Sequence, residues 1–286
     1  MDLAICVRNL PANEMADVGR FAEDNGFAEV FVPDGAHGGA MDGEGRLLGR
    51  DAFTGFAAMF TATSTVRGTL GVAAAPMHHR LVLPIMASTL YEMSAGRFSL
   101  GLGVSHPEQT ARFDVTFPDQ QIEYMRERIR DLKARSADGM AYGGGWDTLV
   151  AALGPRMVQL GAEEADGLIL NWLTPEYAAV SVRRVRESAS DGSSPRVALY
   201  LRFMKADAAR HDAESADAMS NYRRHFVVQG VTTHEDIVAR TTLPRHDLGA
   251  ARGRLEEYRA AGLDTACIST PRFDSDDRRA LQQLTR

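Results

Sequence analysis

Four stretches of the chain carry residues whose type and spacing could do chemistry. In Leu153-Gly154-Pro155-Arg156 a glycine permits close approach to the backbone, and a proline at the first helical position leaves the free N–H groups of a helix start pointing outward. Such a start holds phosphate, with Arg156 as a second contact; taken alone, the tripeptide Leu-Gly-Pro reads equally as an ordinary tight turn between a strand and a helix. His106 follows Gly101-Leu102-Gly103-Val104-Ser105, where backbone without side chains lets something flat approach and an imidazole could donate a proton or a hydrogen bond. A histidine before proline is as often a plain loop residue. The adjacent His78 and His79 cannot both face one ion easily and have no carboxylate at ligand spacing, so a metal site is not expected. Cys6 and Cys267, the two cysteines of the chain, each lie in an apolar run and read as buried thiols, not as a disulfide framework or a metal cluster. Gly-x-Ser-x-Gly does not occur and neither cysteine adjoins a basic residue, which argues against acyl transfer.

The apolar runs say what must position these residues. Leu3 to Val7, Ala28 to Val32, Thr69 to Ala75, Arg97 to Gly103, Thr148 to Leu153, Gly167 to Trp172, Arg196 to Phe203 and Asp264 to Ser269 read as strands. Helical patterns separate them, over Asn13 to Asn25, Asp51 to Thr63, Leu81 to Met93, Asp119 to Leu132, Pro155 to Glu163, a segment opened by Thr174-Pro175-Glu176, Ala206 to about Tyr222, and Leu248 to Ala261. Thr174-Pro175-Glu176 combines an N-cap, a proline at the first helical position and a carboxylate in the first turn. The strand runs are continuous and not alternating, so they are buried on both faces, as in a parallel sheet covered by helices. Eight such units predict a closed (β/α)8 barrel over residues 1–286 as one domain, a length that suits this fold. An open doubly wound sheet lacks its Gly-x-Gly-x-x-Gly after the first strand.

In a barrel, chemistry sits just beyond the C-terminal ends of the strands. That selects Arg8 and Asn9, Pro33 and Asp34, Ala75 and Pro76, Ser105 and His106, Gly154 and Pro155, Asn171 and Trp172, Arg202 and Met204, and Ser269 and Thr270. Hydrophobic residues make up 44% and charged residues 24% of the chain, the composition of an ordinary globular protein. No apolar run reaches membrane-span length and the start lacks a signal-peptide pattern, so a cytoplasmic protein is expected. The net charge of -6 disfavours nucleic acid and anionic membranes as partners and leaves a small molecule.

The segments AEDNGFAEVFVPD, TLGVAAAP, SAGRFSLGLGVSHP, AALGPRMVQLGAEEADGLILNWLTPE and LEEYRAAGLDT together resemble the luciferase-like monooxygenase superfamily, and in detail its coenzyme F420-dependent oxidoreductase branch. The likeness covers nearly the whole chain in the family's order. It implies a non-proline cis peptide near Val72-Ala73, with Ala75 and Pro76 beside it, against the cofactor ring. It also implies ring and tail contacts at Val104-Ser105-His106, a phosphate-binding turn at Leu153-Gly154-Pro155, and a cofactor contact at Asp34. Some deazaflavin dehydrogenases place a catalytic histidine after that aspartate, where this chain has Gly35, with His37 two residues on. The segment from Ser136 to Asp147 is also shorter than usual.

The resemblance therefore implies hydride transfer with coenzyme F420 to or from a C=C, C=N or C=O group, His106 acting as proton donor or ring contact and Trp172 and Met204 walling the substrate. Two alternatives stay open. One is an FMN-dependent monooxygenase supplied with reduced flavin by a separate reductase, since deazaflavin reacts poorly with oxygen and the two cofactors imply different reactions. The other is a degenerate barrel that binds flavin without turnover. The family also implies a homodimer.

Overall fold

The computed structural model describes residues 1–8, 10–34, 49–137 and 145–285. Strands β1 (Asp2–Cys6), β2 (Glu29–Val32), β3 (Arg67–Ala74), β4 (Phe98–Gly103), β5 (Asp147–Ala151), β6 (Gly167–Asn171), β7 (Arg196–Arg202) and β8 (Thr265–Ser269) form one closed barrel in sequence order. Every pairing is parallel, and closure sets Ala4 opposite Cys267 and Cys6 opposite Ser269. The (β/α)8 architecture read from the sequence is thus the observed one. One irregularity interrupts it: between Leu70 and Ala73 the register of β3 against β4 shifts, and the Gly71–Val72 peptide is cis. That bond lies one residue before the expected Val72-Ala73 position.

Alternation along the strands divides the apolar residues into two cores. Ala4, Cys6, Phe31, Val72, Leu149, Ile169, Ala198 and Cys267 pack together inside the barrel. Neighbouring strand residues such as Ile5, Val30, Ala73, Leu102, Val150 and Leu199 belong to a larger cluster shared with the helices. That is how strands buried on both faces must sort their side chains.

The helices follow from local signals. α1 (Met15–Asp24) buries Met15, Val18 and Ala22, the face expected from their spacing. α2 (Ala52–Thr61) starts at Asp51, whose carboxylate accepts from the Thr54 N–H. α3 (Val82–Met93), the short α4 (Pro107–Ala111), α5 (Gln121–Ala137) and α6 (Pro155–Glu164) come next. α7 (Pro175–Ser188) has the expected Thr174 cap, its hydroxyl accepting from the Tyr177 N–H. The helix expected from Ala206 to Tyr222 is instead two: α8 (Ala206–Asp217) and α9 (Ser220–Val228), separated by Met219 in an extended conformation. α10 (His234–Thr241), α11 (Leu248–Ala260) and α12 (Ser275–Leu284) complete the set. Three of these, α4, α10 and α12, lie outside the helices expected from the sequence, although Thr233 and Asp274 cap the last two through their side chains. No helix among the described residues is long and apolar enough to cross a membrane.

The N-terminal end of the barrel is closed by charge. Glu29 is fully buried and accepts from both Arg196 and the Thr69 hydroxyl, while Arg67 lies 3.7 Å away and reaches Asp2 at 2.8 Å. Burying a carboxylate is tolerated here because donors from β3 and β7 surround it. Removing one partner leaves the charge behind: Arg196→Met should lower unfolding free energy by about 3–5 kcal/mol. Replacing Glu29 and Arg196 together by methionine should recover most of that loss, a comparison that urea denaturation of both variants reads directly.

Candidate active site

The C-terminal ends of the strands open into a cavity of about 1530 Å³, lined from β1 through β7 and roofed by residues of α8 and α9. Of the residues singled out from sequence, Val72, Val104, Ser105, His106, Leu153, Gly154, Pro155 and Trp172 line it together. Ala73 and Ala75 do not. They are fully buried in the layer between barrel and helices, because the residue after an inward-facing Val72 faces outward. Met204 is buried and is not a lining residue either. Asp34 is not on the cavity wall; its carboxylate accepts from His78 Nε2 at 2.6 Å, which engages the histidine that adjacency with His79 had singled out. Asn9, Gly35 and His37 lie outside the described residues.

One wall is bare backbone. Gly71, Val72 and Gly103 line the cavity, and each glycine is required by a neighbour. A Cβ at Gly71 would run into the Tyr200 hydroxyl, and one at Gly103 would come within 2.9 Å of Val72 Cγ2. Tyr200, on β7, reaches across the lumen and donates its hydroxyl to the Gly71 carbonyl at 2.5 Å, fixing the irregular turn of β3 from the opposite side. Beyond Gly103, Ser105 adopts a left-handed φ of 68°, a costly conformation for serine that carries the chain toward His106. The adjoining wall is the start of α6. Gly154 is its N-cap with no side chain capping it, and a Cβ there would meet nothing within 4 Å.

His106 is buried and caps α4 from an extended conformation. Its Nδ1 accepts from the Asn221 side-chain amide at 2.9 Å, so the ring proton sits on Nε2, and the ring lies 5.5 Å from that of Tyr222. Burial pushes its pKa down, against a weaker upward pull from Glu108. His225 on α9 donates from Nε2 to the Asn171 carbonyl at 3.1 Å and is likewise pushed down by burial. Both imidazoles are therefore neutral at pH 7 and act as donors, not cations.

The opposite wall is cationic. Arg202 is 4% exposed. Its Nε donates to Asp212 Oδ2 at 2.9 Å, it donates to the Asn171 side-chain oxygen, and its guanidinium lies 3.7 Å over the Trp172 ring. Trp172 holds a left-handed φ of 55°, locked by Gln229, which donates to the Trp172 carbonyl at 2.8 Å and accepts from the Thr174 N–H at 2.9 Å. Arg8 approaches the same Asp212 at 3.6 Å and donates to the Ser269 hydroxyl at 3.2 Å. Two residues before Arg8 in the strand, Cys6 lines the floor. A hydrogen bond from Cys267, with further help from Arg8 and Ser269, brings its thiol down to about 7 in spite of burial. Both cysteines are buried, as their apolar context implied.

Five residues of the site escape the sequence reading: Tyr200, Asp212, Asn221, Tyr222 and His225. Tyr200 lies inside a strand run. The others fall on helices whose inner faces acquire meaning only once the break at Met219 turns α9 over the cavity.

Known proteins similar to this chain include one sequence relative and two solved structures of the same fold. The 5,10-methylenetetrahydromethanopterin reductase of Methanolobus tindarius is 24% identical over 242 residues, 77% of this chain and 69% of the relative. The structure of an F420-dependent secondary alcohol dehydrogenase in complex with an F420-acetone adduct superposes with a TM-score of 0.80 at 12% identity, covering 100% of this chain and 98% of that one. The monooxygenase RslO1 from Streptomyces bottropensis superposes with a TM-score of 0.72 at 18% identity, over 100% and 98% of the two chains. Residues 7–272 match the family of luciferase-like monooxygenases, and the chain belongs to that family.

Proposed function

We propose that the chain is an oxidoreductase that uses the deazaflavin coenzyme F420 to move hydride to or from a small organic molecule at a C=C, C=N or C=O group. The observation that carries this reading is the continuity of two walls in one cavity. Backbone bared at Gly71, Val72 and Gly103 offers a flat face, and it runs on to the uncapped helix start at Gly154 and Pro155. A flat ring joined to a phosphate-bearing tail needs both, in that order. The reductase of Methanolobus tindarius and the F420-dependent alcohol dehydrogenase support the same choice. When bound, the deazaflavin supplies the hydride chemistry.

The residues of this chain then have separate tasks. The bulge of β3, braced by Tyr200, forms the ring face. The start of α6 takes the phosphate, with no carboxylate in its first turn to oppose it. His106 offers an Nε2–H to the developing charge on the substrate, its tautomer held by Asn221; as a neutral imidazole it stabilises that charge by a hydrogen bond and keeps its proton. Trp172 forms part of the substrate wall, fixed in place by Arg202 and Gln229. An FMN-dependent monooxygenase supplied by a separate reductase is the second reading, favoured by the likeness to RslO1.

Titrating the purified protein with F420 and with FMN, following ring fluorescence, separates the two readings. F420 is expected to bind at least about tenfold more tightly, which corresponds to ~1.4 kcal/mol; the reverse order supports the oxygenase. His106→Ala is expected to lower turnover by about 10²- to 10³-fold with cofactor affinity little changed, whereas equal losses in both would make His106 a cofactor contact alone.

The neutral histidines also set a pH dependence. His106 and His225 have folded-state pKa values below the ordinary 6.5, so on acidification the unfolded chain takes up protons first. Their contribution to stability is complete above that value and is lost as the pH falls through it toward the lowered folded values. The melting temperature should therefore drop between about pH 7 and about pH 5, and His225→Gln, which keeps a donor for the Asn171 carbonyl, should flatten that drop.

A further inference from the structure

The cationic wall holds more positive charge than its own residues neutralise. Two guanidiniums, Arg8 and Arg202, share the single carboxylate of Asp212. Burial pushes the phenols of Tyr200 and Tyr222 up, His106 and His225 are neutral, and the Cys6 thiol, brought down to about 7, is no more than a partial second counter-charge to Arg8 at pH 7. The remaining charged side chains on the lining, among them Arg112, Arg156, Arg224 and Glu108, are exposed at its rim.

The two arginines are not equivalent. Arg202 is sealed between Asp212, Asn171 and the Trp172 ring. Arg8 makes the longer approach of 3.6 Å to Asp212, one hydrogen bond to the neutral Ser269 hydroxyl and a contact with the Cys6 thiol, and 35% of its side chain is exposed while it lines the cavity. Its charge stays hydrated until something expels that water, and a partner arriving then meets it in a low dielectric. The depressed thiol of Cys6, which Arg8 helps to hold down, is a local response to the same surplus.

We propose that Arg8 receives a carboxylate of the substrate, so that the enzyme acts on small organic acids and not on neutral alcohols or ketones. The anion belongs to the substrate and not to the cofactor because Arg8 and Ser269 stand at the ends of β1 and β8, whereas the bare backbone and the α6 start stand at the ends of β3, β4 and β5. Tyr200 lines the same cavity as Arg8, and its hydroxyl touches Gly71. A single small molecule can therefore place its carboxylate on Arg8 and its reacting carbon against the ring face. This assignment rests on the hydride-transfer reading above.

Binding of benzoate and of its neutral isostere benzamide, followed by Trp fluorescence and by melting temperature on the protein without added cofactor, tests the charge alone. Benzoate is expected to bind saturably and about 10- to 100-fold more tightly than benzamide, the range for a hydrogen bond to a charged group. Arg8→Met should abolish that preference and Arg8→Lys should keep part of it. Asp212→Asn should tighten benzoate severalfold, because it removes the competing carboxylate; a purely structural role for Asp212 predicts no gain, and this variant decides the matter if Arg8→Met does not fold. Equal affinity for benzoate and benzamide, or a preference that survives in Arg8→Met, overturns the proposal. So does a fall in F420 affinity in Arg8→Met as large as the fall for benzoate, which would give the charge to the cofactor. If benzoate is preferred but F420 does not bind, the carboxylate site stands and the proposed cofactor falls; if F420 binds and benzoate is not preferred, the reverse holds.

Discussion

Closure of the barrel, which pairs β1 with β8, is the constraint on which the other features of this molecule depend. A closed eight-stranded barrel has a lumen of limited volume that side chains must fill without gaps or overlap. Phe31, Val72 and Tyr200 are large for that space, and it is the glycines facing them that make room. A Cβ at Gly71 would collide with Tyr200 and one at Gly101 with the Leu70 carbonyl. The same glycines leave the upper end of β3 and β4 without side chains, so the packing solution for the lumen is also what bares a flat backbone surface at its mouth. Tyr200 links the two roles, because the hydroxyl that finds its acceptor at Gly71 is the one whose ring fills the lumen.

The two ends of the barrel use charge in opposite ways. At the N-terminal end Glu29 is surrounded by donors on β3 and β7 and is sealed from solvent, an arrangement that ties these strands to β2. At the C-terminal end Asp212 is shared between two guanidiniums and one of them remains open to the cavity. A saturated network stabilises; an unsaturated one in a partly hydrated cavity is a binding element. The neutral state of His106 and His225 has a different cause, the loss of hydration on burial.

The barrel was legible in the sequence because its strands are uninterrupted apolar runs, such as Leu3 to Val7 and Arg196 to Phe203, whose double-sided burial follows from composition alone. The Thr174-Pro175-Glu176 start was legible because a cap is a local interaction. The break between α8 and α9 was not: Ala218-Met219-Ser220 contains neither glycine nor proline, and the extended Met219 is decided by packing of α9 over the cavity. For the site, strand ends told which residues could face the cavity, and Arg8, His106, Asn171, Trp172 and Arg202 all do so. They could not tell direction. Ala73 and Ala75 follow a register shift that only the pairing of β3 with β4 reveals, and the partners Asp212, Asn221 and His225 are separated from the strand ends they serve by distances that no local pattern spans.

Two strained residues mark where that long-range packing is anchored. Ser105 and Trp172 both adopt left-handed backbone conformations directly beyond β4 and β6, and neither is a residue type that does so cheaply. Each is held by groups from α4 or α9: Ser105 donates to Gln109 at 3.4 Å, and Trp172 is clamped by Gln229 and faces Phe226 edge-on at 5.8 Å. His106, immediately after the first, is held by Asn221 on the same α9. A single helix thus fixes the tautomer of His106 on one wall and the ring under the arginine on the other. The relative placement of donor and cationic wall is set by the rigidity of α9, not by the strands alone, which is why the helix that the sequence pattern merged into its neighbour is the element that joins the two halves of the site.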